Sequence, residues 1–351
     1  MGHVQRDGDK VIIEGVRPVT WKSGEMCEFA SCLVSALGSL GEDVSYPYIM
    51  GTSGAAFRFT LRPGAWDFGN YAIQNVSPDP FEPVRRAFRA AGYACSIHVP
   101  EGDATDEDAA RIVGSIDRGV PVLATRVCGP SDCSILTGYD AGGEVLLGWS
   151  TYQDIKDDHD IPHDPATGYF RKPGWRGHIP DYTLIGERSG RPPLREVYLD
   201  ALRWGAGLLR MPAMGDRVTG LRGLAAWAAE MRDDASFPAG DEGAMAERYV
   251  STTINITMLR DHCQAEPFLA QVAGDAPDLA PEALQAAACY GRVARIRARM
   301  DDLIPDDFTE RGIRGMYDPA VRRAFADEVL RILDAEAEAV GCLERLLARC
   351  G

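Results

Sequence analysis

A chain of 351 residues is long for one core and comfortable for two, and its 45% apolar and 25% charged residues suit a globular protein rather than a disordered or fibrous one. A formal charge of −15 with no basic stripe argues against a nucleic-acid surface, whose affinity comes from clustered Lys and Arg, and favours a small-molecule substrate or a protein partner. Nine scattered cysteines, no signal-peptide run and no segment near the roughly 20 apolar residues of a membrane span give the expectation of a cytoplasmic protein without membrane contact, its thiols reduced.

From Val11 to about Arg188 the chain reads as an α+β region. Val11 to Ile13 is a short apolar run. Gly24 to Leu40 is helical, with Met26, Phe29, Ala30, Leu33, Leu37 and Leu40 at spacings of three and four. Pro83 to Ala91 and Asp106 to Arg118 are two further helices. After Gly119, the runs Pro121–Thr125, Ser134–Thr137 and Glu144–Gly148 read as consecutive antiparallel strands. Asp140-Ala-Gly-Gly143 is a hairpin loop whose glycines supply positive φ. Thr183 to Ile185 is another strand. From Leu194 the texture becomes alanine-rich and helical, with about five helices near 194–210, 219–232, 243–273, 281–303 and 318–349, a helical bundle. The seam at Arg188-Ser-Gly-Arg-Pro-Pro193 divides the chain into an α+β domain, 1–190, and a helical domain, 191–351. The helical domain is expected to cover the first domain's cleft or to form a homodimer face.

Cys27 stands near the start of the first helix, behind Ser23 as a candidate N-cap. Unpaired amides and the positive dipole end at such a position favour a thiolate. Cys32, five positions on, lies roughly 140° around the helix, so the two thiols are no redox pair. For an arbitrary cysteine, burial as a small core residue is the ordinary role.

The stretch CEFASCLVSALGSLGEDVSYPYIMGTSGAAFRF, followed by GVPVLATRVCGPSDCSILTGYDAGGEVLLGWSTYQ, resembles the N-terminal domain of butirosin-biosynthesis-H-like proteins and, more remotely, peptidase C39. The resemblance is closest to an uncharacterised bacterial group with the same GYD…GW strand pair, a GYFRKPGW segment and a helical C-terminal half. It implies a papain-like cysteine-enzyme domain, an N-terminal helix plus an antiparallel sheet, that cuts or transfers acyl groups, with Cys27 as nucleophile. The family's histidine position falls on Asp132, followed by Cys133. The oxyanion glutamine position falls on Trp21, and the usual Asn or Asp orienter near Gly148 to Ser150. In the resembling families the TSGAAFRF segment lines the cleft, which makes Ser53 and Arg58 candidate substrate contacts; Ser53 is otherwise a turn residue and Arg58 an ion-pair member. Trp149 and Tyr152 are the candidate aromatic wall.

A solvated Asp132 is a weak base at neutral pH, so His159 or His163, in DIKDDHDIPHDP, is the alternative general base. The same loop, with Asp158, Asp160 and Asp164, is a weak candidate for a divalent metal, since Pro162 interrupts the helix that an H-x3-H pair needs. Cys27, Cys32, Cys128 and Cys133 form a still weaker sulfur set. Met258, His262 and Glu266 share one helix face, where an interhelix hydrogen bond is the default. The leading expectation is a cofactor-free, metal-free thiol hydrolase or acyltransferase of specialised metabolism, acting on an amide or acyl group of a small molecule. The alternatives are a catalytically degenerate small-molecule-binding protein on the same scaffold and a metal-dependent enzyme built on the 158–164 loop.

Overall fold

The computed structural model describes residues 2–129, 133–154, 161–238, 240–307 and 309–350. In chain order its elements are β1 (Val4–Asp7), β2 (Lys10–Ile13), α1 (Glu28–Ser39), α2 (Tyr46–Ser53), β3 (Thr60–Leu61), α3 (Glu82–Ala91), β4 (Tyr93–His98), α4 (Asp106–Asp117), β5 (Val122–Thr125), β6 (Cys133–Asp140), β7 (Val145–Trp149), β8 (Phe170–Pro173), β9 (Tyr182–Arg188), α5 (Leu194–Arg210), β10 (Ala213–Met214), β11 (Arg217–Thr219), α6 (Gly220–Arg232), α7 (Glu242–His262), α8 (Ala265–Asp275), α9 (Ala280–Leu303), α10 (Glu310–Tyr317) and α11 (Pro319–Cys350). At 57% helix and 15% strand it is a mixed α/β protein with a curled antiparallel sheet and a helical C-terminal region. No described helix is long and apolar enough to cross a membrane.

Two compact units are present: Met1–Ile49 with Ala87–Arg191, and Met50–Arg86 with Pro192–Gly351. The last crossing falls in the Gly-Arg-Pro-Pro seam that the sequence marks. The segment 50–86, expected in the first domain, belongs to the second. Its aromatic residues explain why, because Phe57 packs edge-on to Phe268 and Tyr290, and Phe59 packs on Trp227, at centroid distances of 6.3, 6.0 and 5.6 Å.

The first unit is organised around β6. Along one edge β6 carries β7; along the other, its first half carries β5 (Cys133 opposite Thr125) and its second half carries β2 (Gly138 opposite Ile12). A strand that changes partner halfway forces the sheet to curl. Gly138 permits the change, since a Cβ there would sit 2.6 Å from the Val11 carbonyl oxygen. The order continues from β5 through β9 to β4, with β8 on the outer edge of β7, and every pairing is antiparallel. The hairpin from Asp140 to Val145 turns through Ala141, Gly142 and Gly143, all at positive φ, with the Asp140 carboxylate accepting from the Ala141 amide at 2.7 Å. Helix α1 buries Phe29, Ala30, Leu33, Ala36 and Leu37 and packs on β5 and β6.

In the second unit α11 packs on α9, α6 and α5, and the small sheet β10-β11-β3 joins the 50–86 segment to the bundle. The expected helix 243–273 is two helices. Pro267 has no N–H to donate and its ring crowds the carbonyl four residues back, so α7 ends at His262 and α8 begins at Ala265. Helices α2 and α10 and strands β1, β3, β4, β8, β10 and β11 were not expected from the sequence.

Candidate functional site

Cys27 is itself the N-cap of α1, with φ −76° and ψ 102°, rather than a residue one turn inside it. Ser23 does not cap α1; it ends a 3-10 turn, Trp21–Ser23, capped by Thr20 and closed by Gly24 at φ 80°. That turn delivers the chain to the helix mouth. Glu25 locks the approach, because Arg17 reaches both its carboxylate oxygens at 3.2 and 2.8 Å and Ser31 donates to it at 2.7 Å. The Cys27 amide donates to the Tyr46 hydroxyl oxygen at 2.8 Å, and the Cys27 carbonyl accepts the first helical hydrogen bond from Ser31. The side chain sits at the positive end of a helix of 12 residues and is 2% exposed.

Cys133 opens β6, a strand on which α1 packs, and its carbonyl accepts from the Cys32 thiol at 3.1 Å. Five residues of helix separate the two thiols of α1, about 7.5 Å along its axis. Asp132 and His159 lie outside the described residues. His163 is exposed and forms an isolated bridge with Phe170. Asp164 is buried against Lys10 and accepts from the Ala166 and Thr167 amides and the Thr167 hydroxyl. Burial pushes its pKa up, but those bonds outweigh it and hold the carboxyl below its usual range. Asp164 therefore organises its own turn. Among the described residues no group of three His, Cys, Asp or Glu side chains is placed to hold a metal ion, and this includes Cys27, Cys32, Cys128 and Cys133; Asp158, His159 and Asp160 lie outside the described residues.

Arg58 does not line a cleft of the first unit. It is 2% exposed inside the second, with Nη2 2.9 Å from Asp261 Oδ2 and its guanidinium 5.1 Å from the centre of the Tyr71 ring. Ser53, fully buried in that unit, is the turn residue that its sequence setting suggests, donating to the Met50 carbonyl and accepting from the Ala55 amide, each at 3.3 Å. His262 makes interhelix contacts, its Nδ1 to Glu336 at 2.5 Å and its Nε2 to the Arg58 carbonyl at 2.5 Å.

The two aromatic candidates stand in different surroundings within the first unit. Trp149 donates to the Val16 carbonyl at 3.2 Å, stands edge-on to Tyr169 and walls a pocket of about 420 Å³ with Lys10, Glu14 and Thr167. Tyr152 stands edge-on to Trp21 at 5.0 Å and covers Gly129 so closely that a Cβ there would be 2.5 Å from its ring. Gly129 is in turn part of the wall of a groove of about 1240 Å³. Sequence reasoning missed this groove's polar residues: Asp103, Arg126, Lys172 and His178. A lone arginine after a strand and a lysine in an edge strand carry no spacing signal. The groove's fixed charge is Arg171, 2.7 Å from Asp140, which with the Ala141 amide holds the Asp140 carboxyl below its usual pKa.

Compared with known proteins, the chain matches no protein-family model and no curated protein.

Proposed function

We propose that the first unit is a papain-like thiol domain that processes an amide or acyl group of a small molecule, with Cys27 as nucleophile. The observation that carries this reading is the place of Cys27: the N-cap of α1, a helix that packs on β5 and β6. There the first-turn amides of α1 converge on the cap, favouring both a thiolate and the oxyanion that forms when it attacks a carbonyl. The Cys27 sulfur bonds to the carbonyl carbon, and the bond to the amine or thiol leaving group breaks. The leaving group takes a proton from solvent, and water or an amine acceptor then takes the acyl group. The chain's resemblance to butirosin-biosynthesis-H-like proteins supports the same chemistry.

A short acyl thioester of N-acetylcysteamine tests the reading. Intact-mass and peptide analysis should find one acyl group, on Cys27, and none in Cys27→Ala. Acylation scattered over several cysteines, or equal in the variant, would rule it out.

A second reading is a binding protein on the same scaffold. The 2% exposure of Cys27 favours it. It predicts no acyl transfer to Cys27 from any thioester.

A further inference from the structure

The groove lined by Arg126, Lys172 and His178 lies wholly within the first unit. The chain carries a net charge of −15, yet three cationic or protonatable side chains line this one groove. Most arginines in this structure are paired with a carboxylate. Among the described residues, Arg126, Lys172 and His178 make no side-chain hydrogen bond or ion pair.

Arg126 is also held against its backbone preference. Its φ of 59° lies in the left-handed region, which disfavours a side chain with a Cβ. The flanking structure enforces it: Thr125 closes β5 by pairing with Cys133, its amide bonds the Asp181 carbonyl at 3.1 Å, and its hydroxyl bonds the Asp181 carboxylate at 2.8 Å. Backbone strain at a groove-lining residue whose charge has no partner among the described residues points to a functional position rather than a packing one. Lys172, also in the lining, is presented by β8. Its neighbour Arg171 is fixed by Asp140 at 2.7 Å and lies 3.7 Å from Asp164, so the strand is anchored while the lysine is not. The same lining includes the apolar side chains of Val127, Ile161 and Ile179.

We propose that this groove binds a small organic anion, with Arg126 and Lys172 holding a carboxylate or phosphate head and the Val127, Ile161 and Ile179 wall taking an apolar body. A guanidinium suits both heads by two-pronged hydrogen bonding, and a lysine adds a point charge. Asp103 is the acidic group of the same lining and disfavours an anion beside it. The proposal does not depend on the reactivity of Cys27.

Calorimetric titration of the full chain with phenyl phosphate, phenylacetate and the neutral phenylacetamide tests it. At least one anion should bind about tenfold or more tighter than the amide, and weaken as sodium chloride is raised. The tighter of the two anions identifies the head. Arg126→Gly keeps the left-handed backbone without strain, so it should lose that preference while its thermal midpoint stays level or rises. Lys172→Gln should lose part of the preference. Anions binding no tighter than the amide, or both variants binding them as the unaltered protein does, would overturn the proposal. The readout is equilibrium binding, which needs no reactive thiol, so this site and the thiol reading fail separately.

Discussion

Gly138 shows how much one residue decides in the first unit. The sequence shows it only as the glycine of a Gly-Tyr-Asp turn into a hairpin. In the structure it is where β2 approaches β6, with the Val11 carbonyl oxygen 2.6 Å from where a Cβ would stand. Backbone cannot step aside as a side chain can, so Gly138→Ala should cost about 2–3 kcal/mol, read from urea unfolding. A cost within error of zero would mean that β2 is not held there. Other residues were less legible. Arg58 sits in the segment expected to line a cleft, yet its partner Asp261 lies 203 positions away, a distance across which spacing carries no information. Cys27 was legible as a helix-mouth cysteine because capping is local, although the cap turned out to be the cysteine itself rather than Ser23.

Among the elements, the pairing of α7 with α11 is chemically the most exposed to pH. His262 and Glu336 are both fully buried, and both imidazole nitrogens face oxygens, the carboxylate of Glu336 and the carbonyl of Arg58. A carbonyl only accepts, so Nε2 carries a proton and the pair holds one more between Nδ1 and the carboxylate. Burial alone would lower the His262 pKa, but attraction to Glu336 and the hydrogen bonds raise it above its usual value. A raised histidine contributes stability that is whole below about pH 6.5 and is lost as pH climbs through the native value. Burial also pushes Asp261 up to about 7 against the Arg58 guanidinium, and a carboxyl raised in the native state likewise loses stability as pH rises toward that value. Both signs agree, so urea midpoints should fall between pH 6 and pH 9. His262→Leu alone should cost about 3–5 kcal/mol by stranding Glu336, and His262→Leu with Glu336→Leu should recover most of that and flatten the pH slope. A midpoint that rises over this range, or a double variant no better than the single, would contradict the account. Some helix boundaries set by proline were readable, the start of α5 after Pro193 among them. The α7–α8 break was missed because helical periodicity runs on through Pro267.

At the scale of the whole molecule, the two textures were legible in composition, but the route of the chain was not. The segment 50–86 leaves the first unit and returns, and it brings Phe57, Arg58 and Phe59 into the second. A fragment of residues 192–351 would therefore leave Asp261 buried without its cation, Trp227 without Phe59 and Phe268 without Phe57. It should show no cooperative thermal transition, and a sharp melt matching the intact chain would contradict this. The nine cysteines, spread over both units, allow the central claim to be tested by competition within one molecule. Cys95, Cys263 and Cys350 are the more accessible, while burial raises Cys263 and Cys289 to about 11, which leaves them protonated near neutrality. Exposure alone would rank Cys27, at 2%, near the bottom. The most direct measurement is peptide-resolved iodoacetamide labelling of the native protein at about pH 6.5. The account predicts that Cys27 is alkylated at least about tenfold faster than any other thiol. Labelling led by Cys95 or Cys350, with Cys27 among the slowest, would contradict it.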